Sequence, residues 1–162
     1  GLALFREFGH RAFAVEVLCR LGAYAALSTD VKRAASFFRD ALTSSIAFSD
    51  RWGVITSFEG FARVAAMRGE VRIAISLLGY SSALRDDWAG PDSPAFNERR
   101  EAFIRTTRGA ADTASFDEWW VAGRRWTRDD GLEEVARLLD ACDIAPITDD
   151  TELSNELLHP GQ

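Results

Sequence analysis

Leu18 to Leu42 reads "LCRLGAYAALSTDVKRAASFFRDAL", and its spacing decides the fold class. Leu18, Leu21, Gly22 and Ala25 follow i, i+3, i+4, i+7 and define one helical stripe, while Ala34, Phe37, Phe38 and Ala41 define a second. The polar "STD" of Ser28 to Asp30 separates them, so the stretch predicts two antiparallel helices joined by a tight turn. Small residues at Gly22 and Ala34 allow the helix axes to approach, with Phe38 filling the wider space beyond.

The pattern recurs. A shift of 40 residues places Leu18 on Phe58, Leu21 on Phe61, Gly22 on Ala62, Asp30 on Glu70, Ala34 on Ala74 and Phe38 on Leu78. Large residues meet large and small meet small, which predicts stacked helix pairs, none able to cover its own apolar face. In the second copy the separator is Arg68 to Glu70, where Gly69 can take the left-handed conformation that ends a helix.

Leu21 and Gly22 with Ala34, Phe38 and Ala41 resemble the tetratricopeptide repeat, and the 40-residue period resembles its long variant in large bacterial regulators. Asp50 to Pro94, "DRWGVITSFEGFARVAAMRGEVRIAISLLGYSSALRDDWAGPDSP", is similar to the C-terminal region of LuxR-type and related ATP-binding transcriptional regulators. Such a repeat is commonly followed there by a shorter helical pair, which Phe116 to Leu139 resembles. The chain departs from the repeat pattern at Ala25, where a tyrosine is usual, and at Ser81, in a position for a smaller residue. The resemblance implies an all-α, TPR-like helical-repeat superhelix with a terminal helix pair.

On this reading residues 1–140 form one domain, with units at about 15–48 and 55–88, a partial unit before 15 and closing helices at about 95–139. The period places Gly1 on Ala41, so the chain is expected to begin inside a helix of an earlier unit and to be a fragment of a longer protein. Ser93 and Pro94 suit the start of a helix to Arg108, "SFDE" at Ser115 has capping-box form, and Thr127 suits the start of a last helix with Leu132, Val135, Ala136 and Leu139 on one face. Residues 141–162 lose helical periodicity and are expected to form a flexible or loosely docked acidic tail, in which Thr151 to Leu158 has the pattern of a short helix.

Composition removes several functions. With 162 residues and 47% hydrophobic content the chain can bury a core, and its net charge of −6 comes from acids beyond Leu139, so the segment before them is formally neutral and lacks an electrostatic footprint for nucleic acid. Arg99, Arg100, Arg105 and Arg108 are diluted by Glu98 and Glu101; no direct nucleic-acid contact is expected. No apolar run is long enough to cross a bilayer, no membrane partner is expected, and a cytoplasmic location is the default. The cysteines, Cys19 and Cys142, are far apart and read as free thiols.

His10 and His159 offer no nucleophile–base arrangement and no metal-ligand spacing, and a phosphate-binding G-x-x-x-x-G-K-[ST] motif is missing. The chain therefore reads as a non-enzyme without metal or cofactor. The groove lined by first helices is the candidate binding site, with Glu16, Cys19 and Ala23 from one unit and Thr56, Glu59, Arg63 and Met67 from the next. Glu59 and Arg63 either pair on a solvated face or offer fixed charges to a ligand. The expected function is a protein–protein interaction and regulatory module, binding a partner segment or another domain of its parent. The alternative is a small-molecule effector sensor with a pocket between the repeats and the terminal helices, near Trp88, Trp119 or Trp120.

Overall fold

Four helix ends close through one hydrogen-bonding pattern. Asp30, Asp50, Glu70 and Ile144 donate their backbone N–H to the carbonyls of Ala25, Ser45, Ala65 and Leu139, at 2.8–3.0 Å. The residue before each, Thr29, Ser49, Gly69 and Asp143, has positive φ between 55° and 76°. This left-handed step satisfies carbonyls that the helix end would orphan and reverses the chain within about two residues. Asp30 and Asp50 also start the next helix, accepting from the N–H of Arg33 at 3.1 Å and of Gly53 at 3.0 Å.

In the computed structural model, which describes residues 2–91 and 93–147, these turns join α1 (Leu2–Leu27), α2 (Val31–Ala47), α3 (Arg51–Met67) and α4 (Val71–Asp86). Three further helices follow: α5 (Pro94–Gly109), α6 (Thr113–Arg124) and α7 (Arg128–Ala141). The described chain is all-helical. Successive helices from α1 to α4 pack on one another, and α1 also packs on α3.

Phe38 locks α1, α2 and α3 together. A Cβ on Gly22 would come 2.7 Å from its ring and one on Gly60 2.2 Å, so the ring fits a notch cut by two missing side chains. Phe38 therefore lies directly on Gly22 and not in space beyond it, because Gly60 of α3 completes the seat. Phe61 flanks the ring with centroids 6.2 Å apart.

The expected partial unit before residue 15 is not a separate helix. α1 runs unbroken from Leu2 through Phe8 to His10, the positions that match the Phe48–Asp50 turn. Histidine stands where Asp50 would cap the next helix, and Gly9 remains within the helix, so the turn lacks its N-cap.

The closing helices also differ from expectation. α6 packs along α4 and α7 packs across α2, α3 and α4, so neither relies chiefly on the other. Asp112, not Ser115, caps α6, accepting from the Ser115 N–H at 2.9 Å and its hydroxyl at 2.7 Å. On α7, Thr127 and Asp130 make the full reciprocal box. Its buried face is Gly131, Val135, Leu138 and Leu139, and that register leaves Ala136, expected on the face, exposed. The segment expected as a tail from residue 141 begins docked: Cys142 is buried, and Ile144 and Ile147 pack on the core. Thr151 to Leu158 lies outside the described residues.

The α4–α6 crossing is backbone on backbone. A Cβ on Gly79 would meet the Trp120 carbonyl oxygen at 2.3 Å, and one on Gly123 the Ser76 carbonyl oxygen at 1.9 Å. Phe116 is buried beside this crossing, whereas Trp119 and Trp120 are half-buried. Ser76 Oγ donates to the Trp119 carbonyl at 3.2 Å. Gly123→Ala cannot be accommodated by a rotamer change and should separate the helices, at a cost of at least about 3 kcal/mol in urea unfolding. Ala122→Ser, on the exposed side of α6, should leave stability within about 0.5 kcal/mol.

Candidate functional site

The residues expected to line a groove divide into three groups. Cys19 and Thr56 meet across α1 and α3, with Sγ and Oγ1 3.6 Å apart, and Thr56 also donates within α3 to the Trp52 and Gly53 carbonyls. Burial raises the Cys19 thiol pKa, which suits an inert packing thiol. Glu16 faces solvent and accepts from Arg20 at 2.5 Å, and Met67 is half-buried at the end of α3.

Glu59 and Arg63 neither pair on a solvated face nor line an open groove, because α5 lies over them. Glu59 is 6% exposed and accepts from Arg100 Nε at 2.8 Å, with Arg85 at 3.8 Å. Arg63 places its guanidinium over the Phe103 ring, 4.2 Å from the centroid. Arg100 also donates to the Ser82 hydroxyl, tying α5 to α4. Burial raises the Glu59 carboxyl pKa, with Arg100 and Arg85 pulling against that rise. Arg63 is shifted down by burial, partly offset by Glu59. The cue for this contact was Arg100 and Phe103 at i, i+3, a spacing able to meet Glu59 and Arg63 at i, i+4.

A contiguous apolar surface lies elsewhere. Phe13, Val17, Leu21, Tyr24 and Leu27 of α1 point outward, with Phe13 66%, Tyr24 68% and Leu27 81% exposed. Spacings of 4, 4, 3 and 3 keep them on one face, opposite the buried Val15, Gly22 and Ala25. Leu21, expected in the inward stripe, belongs to this outer one, because Gly22 and Ala25 take the contact with α2. The signal in the sequence was a helix apolar on two sides.

The third feature is a cavity of about 280 Å³ between the end of α2, the faces of α3 and α4, and the start of α7. Ile46, Val54, Ile55 and Leu84 supply apolar wall, and Tyr80, Arg51 and Arg128 supply polar groups. Burial raises the Tyr80 hydroxyl pKa, Arg128 lowers it, and Asp130 and Asp129 raise it. The tryptophans expected around a pocket are packed instead: Trp88 lies on Trp52 with centroids 5.7 Å apart, and Trp120 stacks on Phe116 at 5.6 Å. Among the described residues no cluster of His, Cys, Asp and Glu is arranged to hold a metal ion, both cysteines are free, and no helix is long and apolar enough to cross a membrane.

No family model matches the chain, and neither the curated proteins nor the solved structures compared with it contain a match.

Arg100→Met would leave the Glu59 carboxylate buried with its closest cation removed. The expected result is a loss of about 3 kcal/mol and faster hydrogen exchange throughout α5, with protection of α2 to α4 retained. Uniform loss of protection would show that α5 is integral to the core and not a cover laid over α3.

Proposed function

We propose that this chain is a non-enzymatic, TPR-like interaction module of a cytoplasmic bacterial transcriptional regulator, and that it acts by binding a protein partner on α1. The outward stripe of Phe13, Val17, Leu21, Tyr24 and Leu27 carries the reading. Exposed apolar area of this extent and order on one helix is costly in water and marks an interaction surface. The matching turns at Thr29–Asp30 and Gly69–Glu70, forty residues apart, support the TPR-like part of the proposal. Regulation follows if the partner favours one arrangement of the parent protein over another, since differential affinity shifts the population. The groove is a poorer candidate for that partner because α5 already fills it over Glu59 and Arg63.

Selection from a displayed library of helical peptides tests the reading. Binders enriched on the wild-type chain should be lost on the Phe13→Glu/Tyr24→Glu variant, whose circular dichroism and melting temperature should be unchanged because both side chains are two-thirds exposed. No enrichment, or enrichment indifferent to the variant, would remove α1 as the binding surface.

The cavity supports a second reading, a small-molecule effector site. Its volume is near the lower end for ligand pockets, and its mixture of apolar wall, hydroxyl and guanidinium suits a compact ligand with one polar end. The Tyr80 and Trp126 ring centroids are 6.4 Å apart, so a ligand there should change tryptophan emission across a metabolite panel. Leu84→Trp, which fills the cavity, should abolish the response; a response that survives it places the ligand elsewhere.

A further inference from the structure

α3 displays how an outward face in this register is covered. Its Gly53 and Gly60 lie against α2: a Cβ on Gly53 would stand 2.2 Å from Ser45 Oγ, and one on Gly60 2.2 Å from the Phe38 ring. Phe61 completes the contact with Phe38, and Ser57 and Val64 on the same face are fully buried. The three-residue connection between α2 and α3, Phe48 to Asp50, makes the pair antiparallel.

Forty residues earlier the same register on α1 reads Phe13, Val17, Arg20, Leu21 and Tyr24, and every one of these is exposed. α1 thus presents, uncovered, the face on which α3 seats a helix. Its shape is inverted, however. Where α3 has Gly60 to admit the large Phe38 and Gly53 to admit Ser45, α1 has Arg20 and Phe13 projecting outward. A close-packed seam then requires small residues from the other side.

Arg20 adds a charge requirement. Its guanidinium has five N–H donors, and Glu16 accepts from one nitrogen at 2.5 Å in a pair that is more than half exposed. Covering Arg20 removes the water that serves the remaining donors, so the covering helix must bring an acceptor, best a carboxylate.

We infer that α1 docks a helix of a partner protein whose seam is Ala, Gly or Ser opposite Phe13, Leu21 and Tyr24, with an Asp or Glu opposite Arg20. This rests on the reading of α1 as the interaction surface. A second copy of this chain fits less well: its α2 already uses that face against α3, and its α1 would set large residue on large residue and bring two Arg20 side chains into one seam.

The test uses the full chain and three designed helical peptides of equal length and helicity: an alanine seam with glutamate at the central site, the same seam with lysine there, and a leucine seam with glutamate. Fluorescence anisotropy should rank the first at least tenfold tighter than the other two. Its binding should be lost with Phe13→Glu/Tyr24→Glu, and Arg20→Glu should move the preference to the lysine peptide. If the leucine seam binds as tightly and is lost with the double variant, the seam chemistry is wrong while the surface stands. If no peptide binds although library binders depend on Phe13 and Tyr24, the inference falls alone. Peptide binding indifferent to the double variant overturns both. A dimer in analytical ultracentrifugation that the double variant dissociates would assign the face to a second copy and overturn the inference.

Discussion

Close approach of helix backbones at glycine governs this molecule. Phe38 can hold three helices at once only because Gly22 and Gly60 have no side chains, and α6 can lie on α4 only because Gly79 and Gly123 have none. Dispersion falls steeply with separation, so these few contacts set the spacing at which the rest of the core meets in register. Ala34, Ala41, Ala62 and Ala74, all fully buried, extend that close spacing along the neighbouring interfaces.

Once α4 is positioned, the site features follow from what surrounds it. α5 reaches over the inner side through Arg100, which links Glu59 of α3 and Ser82 of α4. α7 reaches the other side through Arg137, which donates to Glu70 at 2.6 Å beside the Arg68 bond to the same carboxylate. Burial would raise the Glu70 pKa, but its bonds to Arg68 and Arg137 outweigh that and lower it. The same carboxylate leaves the start of α4 without a side-chain cap, so a cap bond has been exchanged for a link between distant helices. These attachments close the candidate groove and leave α1 as the helix with an uncovered apolar side.

Local rules made much of the fold legible. The turns at Ser28–Asp30 and Arg68–Glu70 could be read because capping and left-handed steps depend on adjacent residues, and the inward positions Gly22, Ala25, Ala34, Phe38 and Ala41 because helical spacing fixes a face. The role of Gly60 was hidden, since alignment set Ala62 opposite Gly22 and the neighbour that needed Gly60 lies on the preceding helix. The continuity of α1 was hidden for a related reason: the repeat register projected a turn where its N-cap chemistry is missing. Of the site, Cys19 and Thr56 meet each other across α1 and α3, and the cover over Glu59 and Arg63 depends on a helix some 40 residues distant. Periodicity says which residues face inward; it does not say which later helix arrives there.

Residues 74 to 82 of α4 are buried on every side. Such a helix would expose backbone polar groups to no water, and two of its serine hydroxyls turn to carbonyls, Ser81 to Leu78 at 3.0 Å and Ser76 to Trp119 at 3.2 Å. Opening α4 means dismantling contacts with α3, α5, α6 and α7. Resistance to unfolding is therefore steepest around this enclosed axle, and the interior of α4 is the last to surrender its amide protons.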